Sequence, residues 1–127
     1  MLDIEQLAAR LNEHPDFMSS GKYFDGAIQL EIGNDRIWIK VFMGRVILAT
    51  RQPPPFGYTF CIKGPLEHWR FAMAGKKNRL HEAVVTGRLK VEGNTIEYAR
   101  ISRAVYGLSE VMHAMAQADG QALGDLT

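Results

Sequence analysis

The stretch Tyr58–Glu92, YTFCIKGPLEHWRFAMAGKKNRLHEAVVTGRLKVE, carries the fold. Tyr58, Phe60 and Ile62 alternate with Thr59, Cys61 and Lys63, the period of a half-buried strand. Gly64-Pro65 breaks it, and proline suits the first turn of a helix, whose inward stripe is Leu66, Trp69 and Met73. Gly75 ends that helix. A second short one follows, with Leu80 and Val84 inward, ended by Gly87. Arg88–Glu92 alternates again, with Leu89 and Val91 inward. Two helices between two strands, with aromatic, Met and Val side chains facing in, predict an apolar chamber. A strand that returns after a helical crossover predicts a mixed sheet.

Upstream, Asp3 caps a helix with Ile4, Leu7, Ala8 and Leu11 on one face, bounded by Pro15. A loop with Ser19, Ser20 and Gly21 is expected next. Three strands follow as an antiparallel meander. The first turns Ile28, Leu30 and Ile32 inward; the second turns Ile37, Ile39, Val41 and Met43; the third is Val46–Thr50. Their turns are Gly33-Asn34-Asp35 and Gly44. Arg51–Gly57, with three consecutive prolines, is read as a stiff crossover; no flanking charge pattern supports a docking motif. Downstream, Asn94 caps one long helix to about residue 118, with Ile101, Val105, Leu108, Met112 and Met115 as an apolar seam. Val111, Ala104 and Ala114 make it greasier than one covered face requires.

The 127 residues predict a single domain over 1–127, with an N-terminal helix and loop over 1–20 and a flexible tail over 119–127. Net charge is +1, but residues 63–103 hold nine Lys/Arg against four Asp/Glu. Those charges form a solvated face, or ring a cavity mouth and meet an anionic head group or a membrane surface. No nucleic-acid partner is expected, since Trp69 and Phe71 belong to an apolar helix. Cys61 is the only cysteine, which suits a reducing compartment. The N-terminus lacks the apolar core of a signal peptide, and no run spans a bilayer, so a cytoplasmic protein is expected.

Reactive chemistry is sparse. His14, His68, His81 and His113 lack metal-ligand spacing and are read as solvated side chains, although His68 and His81 lie near Glu67 and Glu82. Cys61 would be a nucleophile only beside a placed base. No nucleophile elbow, phosphate loop or dinucleotide fingerprint appears. Neither catalysis, nor a cofactor, nor a metal is expected. Met43, Met73, Met112 and Met115 either fill an irregular core or line a cavity with a variable occupant.

In their order and spacing these elements resemble the sterol carrier protein 2 (SCP2-like) family. The family pattern is a strand, a short helix with an aromatic, Gly-Lys, a small helix, and a Gly-Lys-Leu-Lys-type strand ending in Gly-Asp. Here Trp69, Gly75-Lys76 and Gly87-Arg88-Leu89-Lys90-Val91-Glu92-Gly93-Asn94 stand at those places, and the likeness covers roughly residues 20–112. The chain departs from the pattern in its proline crossover and its longer final helix. The ending Gly-Asp-Leu-Thr is no peroxisomal tripeptide, which suits a bacterial stand-alone protein.

The resemblance implies an α+β fold, a mostly antiparallel mixed sheet of about five strands with helices on one face and an apolar tunnel between. It implies non-enzymatic carriage of a fatty acid, acyl-CoA, phospholipid or sterol-like molecule. Ile37, Ile39, Val41, Trp69, Met73, Val84, Leu89, Val105, Leu108 and Met112 would line the tunnel, and Lys76, Arg79 or Arg100 would meet a head group. Some family members act as accessory proteins in ubiquinone biosynthesis. The alternative expectation is therefore a module that dimerises, or presents a lipid intermediate such as a quinone precursor to enzymes, through the C-terminal helix.

Overall fold

The computed structural model describes residues 2–119. The meander comprises β1 (Asp25–Ile32), β2 (Asp35–Phe42) and β3 (Arg45–Thr50), preceded by helices α1 (Ile4–Leu11) and α2 (Pro15–Ser20). Then come β4 (Phe60–Gly64), α3 (Leu66–Met73), α4 (Leu80–Val85), β5 (Lys90–Gly93), α5 (Thr95–Arg100) and α6 (Ser102–Asp119). Of the tail expected over 119–127, residue 119 closes α6 and the rest lies outside the described residues.

The five strands form one mixed sheet in the order β3-β2-β1-β4-β5. Every pairing is antiparallel except β1 with β4, where Ile28 lies beside Phe60 and Leu30 beside Ile62. The period-2 pattern puts Ile28, Leu30, Ile32, Ile37, Ile39, Val41, Phe60 and Ile62 on one face, all buried under the helices. The main covering element is α6. Its Ala104, Val105, Leu108, Val111, Met112, Met115 and Ala116 are buried in the same cluster, each large side chain contributing about 1.5–3 kcal/mol. The apolar excess of this helix is thus spent inside the protein, except at Ala114, which is exposed.

The opposite face is drier than alternation alone predicts. Ala27, Gln29, Trp38 and Cys61 are buried there too. The proline-bearing crossover covers this face on its way from edge strand β3 to β4. Lys40 Nζ lies 5.4 Å from the centre of the Phe56 ring, and Thr59 N–H donates to Ala27 O at 2.8 Å. Tyr58, expected on β4, belongs to this crossover and is exposed.

Three further expectations are corrected. The segment after Pro15 is a helix: proline takes the first turn, where no N–H is needed, and His14 Nδ1 accepts the Phe17 N–H at 3.2 Å. The single C-terminal helix is two, broken at Ile101 (φ −106°, ψ 29°). Neither Pro nor Gly stands there; the bend carries Ile101 into the core, whereas α5 buries no residue of its own. Met43, expected inward on β2, sits in the β2–β3 turn at φ 51° with its side chain exposed. Gly44 follows at φ 81°, as a two-residue hairpin turn of this hand requires, and a Cβ there would collide with Met18 O on α2. Asn12, at the end of α1, grips β3 from the side: it accepts the Val46 N–H at 2.7 Å and donates to Val46 O at 3.1 Å.

Candidate lipid site

A recess of about 500 Å³ opens between α4, α5 and the start of α6, lined by Leu80, His81, Tyr98, Ser102, Arg103, Val105 and Tyr106. Its floor is the core itself, because Leu80 and Val105 are buried members of the apolar cluster and Tyr98 packs against it. Tyr98 stands edge-on to Phe60, ring centres 5.5 Å apart at 73°. Burial pushes the Tyr98 hydroxyl above its ordinary range, so it stays protonated.

Side-chain hydrogen bonds fix the walls. Asn78 Oδ1 accepts the Leu80 N–H at 3.1 Å, while Asn78 Nδ2 donates to the buried Ser109 Oγ at 2.6 Å, tying the start of α4 to α6. Ser109 Oγ in turn donates to Tyr106 O at 2.6 Å. The α3–α4 loop is held by Gly75 O, which accepts from His113 Nε2 and Gln117 Nε2, both at 2.8 Å. Asn94 caps α5 through the Glu97 N–H at 3.0 Å, and its own N–H donates to Thr59 O at 2.8 Å. The third wall, α5, is therefore held at its start and by Tyr98, with little buried surface between.

Of the residues expected to line a tunnel, Ile37, Ile39, Val41, Trp69, Met73, Leu89, Val105, Leu108 and Met112 are buried in one cluster, and Val84 is half-buried against it. Val105 alone among them also reaches the recess. Trp69 is oriented by its indole N–H, which donates to Glu31 O at 2.8 Å. The expected head-group residues are dispersed. Lys76 and Arg79 border a neighbouring recess of about 700 Å³ that runs over Gly75–Asn78, His81 and Glu82. Arg79 is already held by both Glu82 oxygens at 2.8 and 2.9 Å and stacks on Phe71, 3.8 Å from the ring centre. Arg100 on α5 grips both Glu97 oxygens at 2.9 and 2.7 Å. These arginines hold the Glu82 and Glu97 carboxyls below the usual range.

Sequence reasoning missed Tyr98 and Tyr106, and named Arg103 only as one of the basic block that could ring a cavity mouth. Tyr98 and Tyr106 lie on either side of Ile101, and reading one unbroken helix there hid their shared recess. Among the described residues no ion pair holds Arg103 or Lys76. Three histidines also prove structural, not solvated. His14 caps α2, His68 Nδ1 lies 2.8 Å from Arg88 O, and His113 reaches Gly75 O; His81 is exposed.

Among the described residues no group of three or more His, Cys, Asp or Glu could hold a metal ion. Cys61 is pushed up to about 12, first by burial and then by Glu31, whose carboxylate lies 4.0 Å from Sγ. A thiol held protonated is a poor nucleophile. No helix among the described residues is long and apolar enough to cross a membrane.

No family model matches the sequence, and no curated protein sequence does either. Solved structures match instead. A crystal structure of sterol carrier protein 2 superposes with a TM-score of 0.71 at 19% identity, covering 86% of this chain and 92% of that one. Sterol carrier protein 2 from Yarrowia lipolytica gives 0.56 at 17%, covering 87% and 88%. The UbiJ-SCP2 ubiquinone synthesis protein gives 0.58 at 12%, covering 86% and 90%. The chain adopts the sterol carrier protein 2 fold, an α+β architecture with a five-stranded, mostly antiparallel sheet.

Proposed function

We propose that this chain, as a single cytoplasmic domain, binds and carries a lipid without catalysing a reaction on it. The observation that carries the reading is the α4–α5–α6 recess, whose floor of Leu80, Tyr98 and Val105 is continuous with the core. An acyl chain entering there displaces α5, which has no fully buried residue and is held by the half-buried Tyr98, and lies against Val105, Leu108, Met112 and the sheet side chains beyond. Transfer of a methylene out of water yields about 0.8 kcal/mol, so a dozen yield about 10 kcal/mol before association and helix displacement are subtracted. Arg103 and Lys76 are the cations to meet a carboxylate or phosphate; Arg79 and Arg100 can do so only by releasing their glutamates. Fatty acid, acyl-CoA, phospholipid and sterol-like guests all satisfy this chemistry. Native mass spectrometry of the purified protein, with titration by a fluorescent fatty acid, tests the reading. No co-purified lipid together with no binding at about tens of micromolar refutes it.

A second reading has its own support in the likeness to the UbiJ-SCP2 ubiquinone synthesis protein. On that reading the chain presents a lipid intermediate, such as a quinone precursor, to partner enzymes. The α6 seam is covered, so a partner or a second copy would meet the exposed Tyr106 and Arg103. Light scattering with Tyr106→Asp decides whether that surface assembles. A wild type that is already monomeric and unchanged by the substitution removes self-association from the reading.

A further inference from the structure

A second surface of the molecule is out of keeping with a soluble exterior. Tyr23 is 81% exposed, Met43 62%, Ile47 61% and Phe42 47%, and Leu48 and Phe56 are exposed beside them. They lie together. Phe42 ends β2 and Met43 opens the β2–β3 turn, with Ile47 and Leu48 just beyond it on β3. Leu48 stands opposite Lys40, whose ammonium faces the Phe56 ring. Tyr23 precedes Asp25, which pairs with Phe42. Contiguous exposed apolar surface of this kind marks an interaction site. Met43 sharpens the point. A hairpin turn at φ 51° favours Asn, Asp or Gly, and a methionine there accepts strain while most of its surface stays exposed.

The occupant is indicated by charge and by position. Lys22 and Arg45 flank the turn, and among the described residues no ion pair holds either; Asp25 is neutralised by Lys40 at 2.9 Å. Aromatic and aliphatic side chains with cations at their border suit the interface of an anionic bilayer. The same turn lies at the recess's end of the sheet, on the other side of α6: Phe24, next to Tyr23, has its ring centre 6.1 Å from that of Phe60, whose ring meets Tyr98 at 5.5 Å. A second copy of the chain suits the surface less well. Asn12 already occupies the edge of β3 at Val46, and a twofold pairing would bring Lys22 and Arg45 towards their own images.

We propose that the β2–β3 turn with Tyr23 is a wedge that enters the interfacial layer of an anionic bilayer and brings the lipid recess to it. The purpose of the wedge rests on the lipid-carrier reading, but its binding step is measurable apart. The experiment is co-sedimentation with phosphatidylcholine vesicles, with and without phosphatidylserine, for the wild type, Met43→Asn and the double variant Met43→Asn/Ile47→Thr. The wild type should bind the anionic vesicles preferentially and release them at high salt; the double variant should bind about tenfold more weakly. Met43→Asn should melt no lower than the wild type, because asparagine tolerates the left-handed backbone. Fluorescent fatty acid binding without vesicles should be unchanged in both variants. If that binding is absent while vesicle binding behaves as stated, the carrier reading fails and the wedge stands. Wild type indifferent to phosphatidylserine, variants that bind vesicles as well as it does, or a wild-type dimer that Met43→Asn turns into a monomer would overturn the wedge.

Discussion

Replacing Tyr98 by alanine separates the role of α5 in stability from its role in access. The ring is half-buried, so about 100 Å² of apolar surface is lost, or about 2.5 kcal/mol, and the edge-on contact with Phe60 adds about 1 kcal/mol. Tyr98→Ala should therefore be destabilised by about 3.5 kcal/mol. In a chain of 127 residues that lowers the melting temperature by about 10 °C, read by denaturant and thermal melts on the two buried tryptophans, Trp38 and Trp69. Tyr98→Phe keeps the ring and should melt close to the wild type. If displacement of α5 limits entry, removing the Phe60 contact lowers that barrier by about 1 kcal/mol. Stopped-flow association of a fluorescent fatty acid should then speed up by about fivefold. A variant that loses the expected stability yet takes up ligand at the wild-type rate would show that entry does not pass Tyr98, and the gating argument would fall.

Asn12→Ala should cost about 2 kcal/mol, because it strips both hydrogen bonds from Val46, a residue too buried for water to replace them fully; a loss below about 0.5 kcal/mol in urea melts would refute the assignment. Cys61 should resist thiol reagents in the native state at mildly alkaline pH and react on unfolding. Its folded pKa of about 12 lies above the ordinary 9.0, so between those values the unfolded chain gives up the proton first. The Cys61 contribution to stability should thus be constant below about pH 8 and decline above pH 9; native labelling as fast as that of a free thiol would contradict the burial.

The β-sheet was legible because alternation and turn chemistry agreed. Ile28, Leu30 and Ile32, then Ile37, Ile39 and Val41, repeat every second residue on either side of Gly33-Asn34-Asp35. Gly64-Pro65 and Gly75 likewise bounded α3 correctly. What failed was decided by tertiary contacts. Met43 continued the period-2 pattern past the strand end, and nothing local says that the turn starts at Met43. The Ser19-Ser20-Gly21 cluster reads as loop, yet a histidine cap and packing against α6 make Ser19 and Ser20 helical, with Gly21 closing the helix. Ile101 breaks its helix because the core offers it a place, which no neighbouring residue encodes. The candidate site was the least legible part for the same reason. Its rim comes from α4, α5 and α6, and only the bend brings Tyr98, Arg103 and Tyr106 together.

The central place of β1 in the sheet also shapes how the chain reaches its native state. As the polypeptide emerges from the ribosome, β1 pairs at once with β2 on one side, but its other side waits for Phe60–Gly64, some thirty residues later. Through that interval Ile28, Leu30 and Ile32 lie along an open strand edge, the kind that recruits neighbouring chains. The prolines of the crossover, which cannot extend a β-ladder, limit how that nascent edge can be mispaired. Replacing those prolines by strand-forming residues should therefore show first as lower soluble yield at high expression rates.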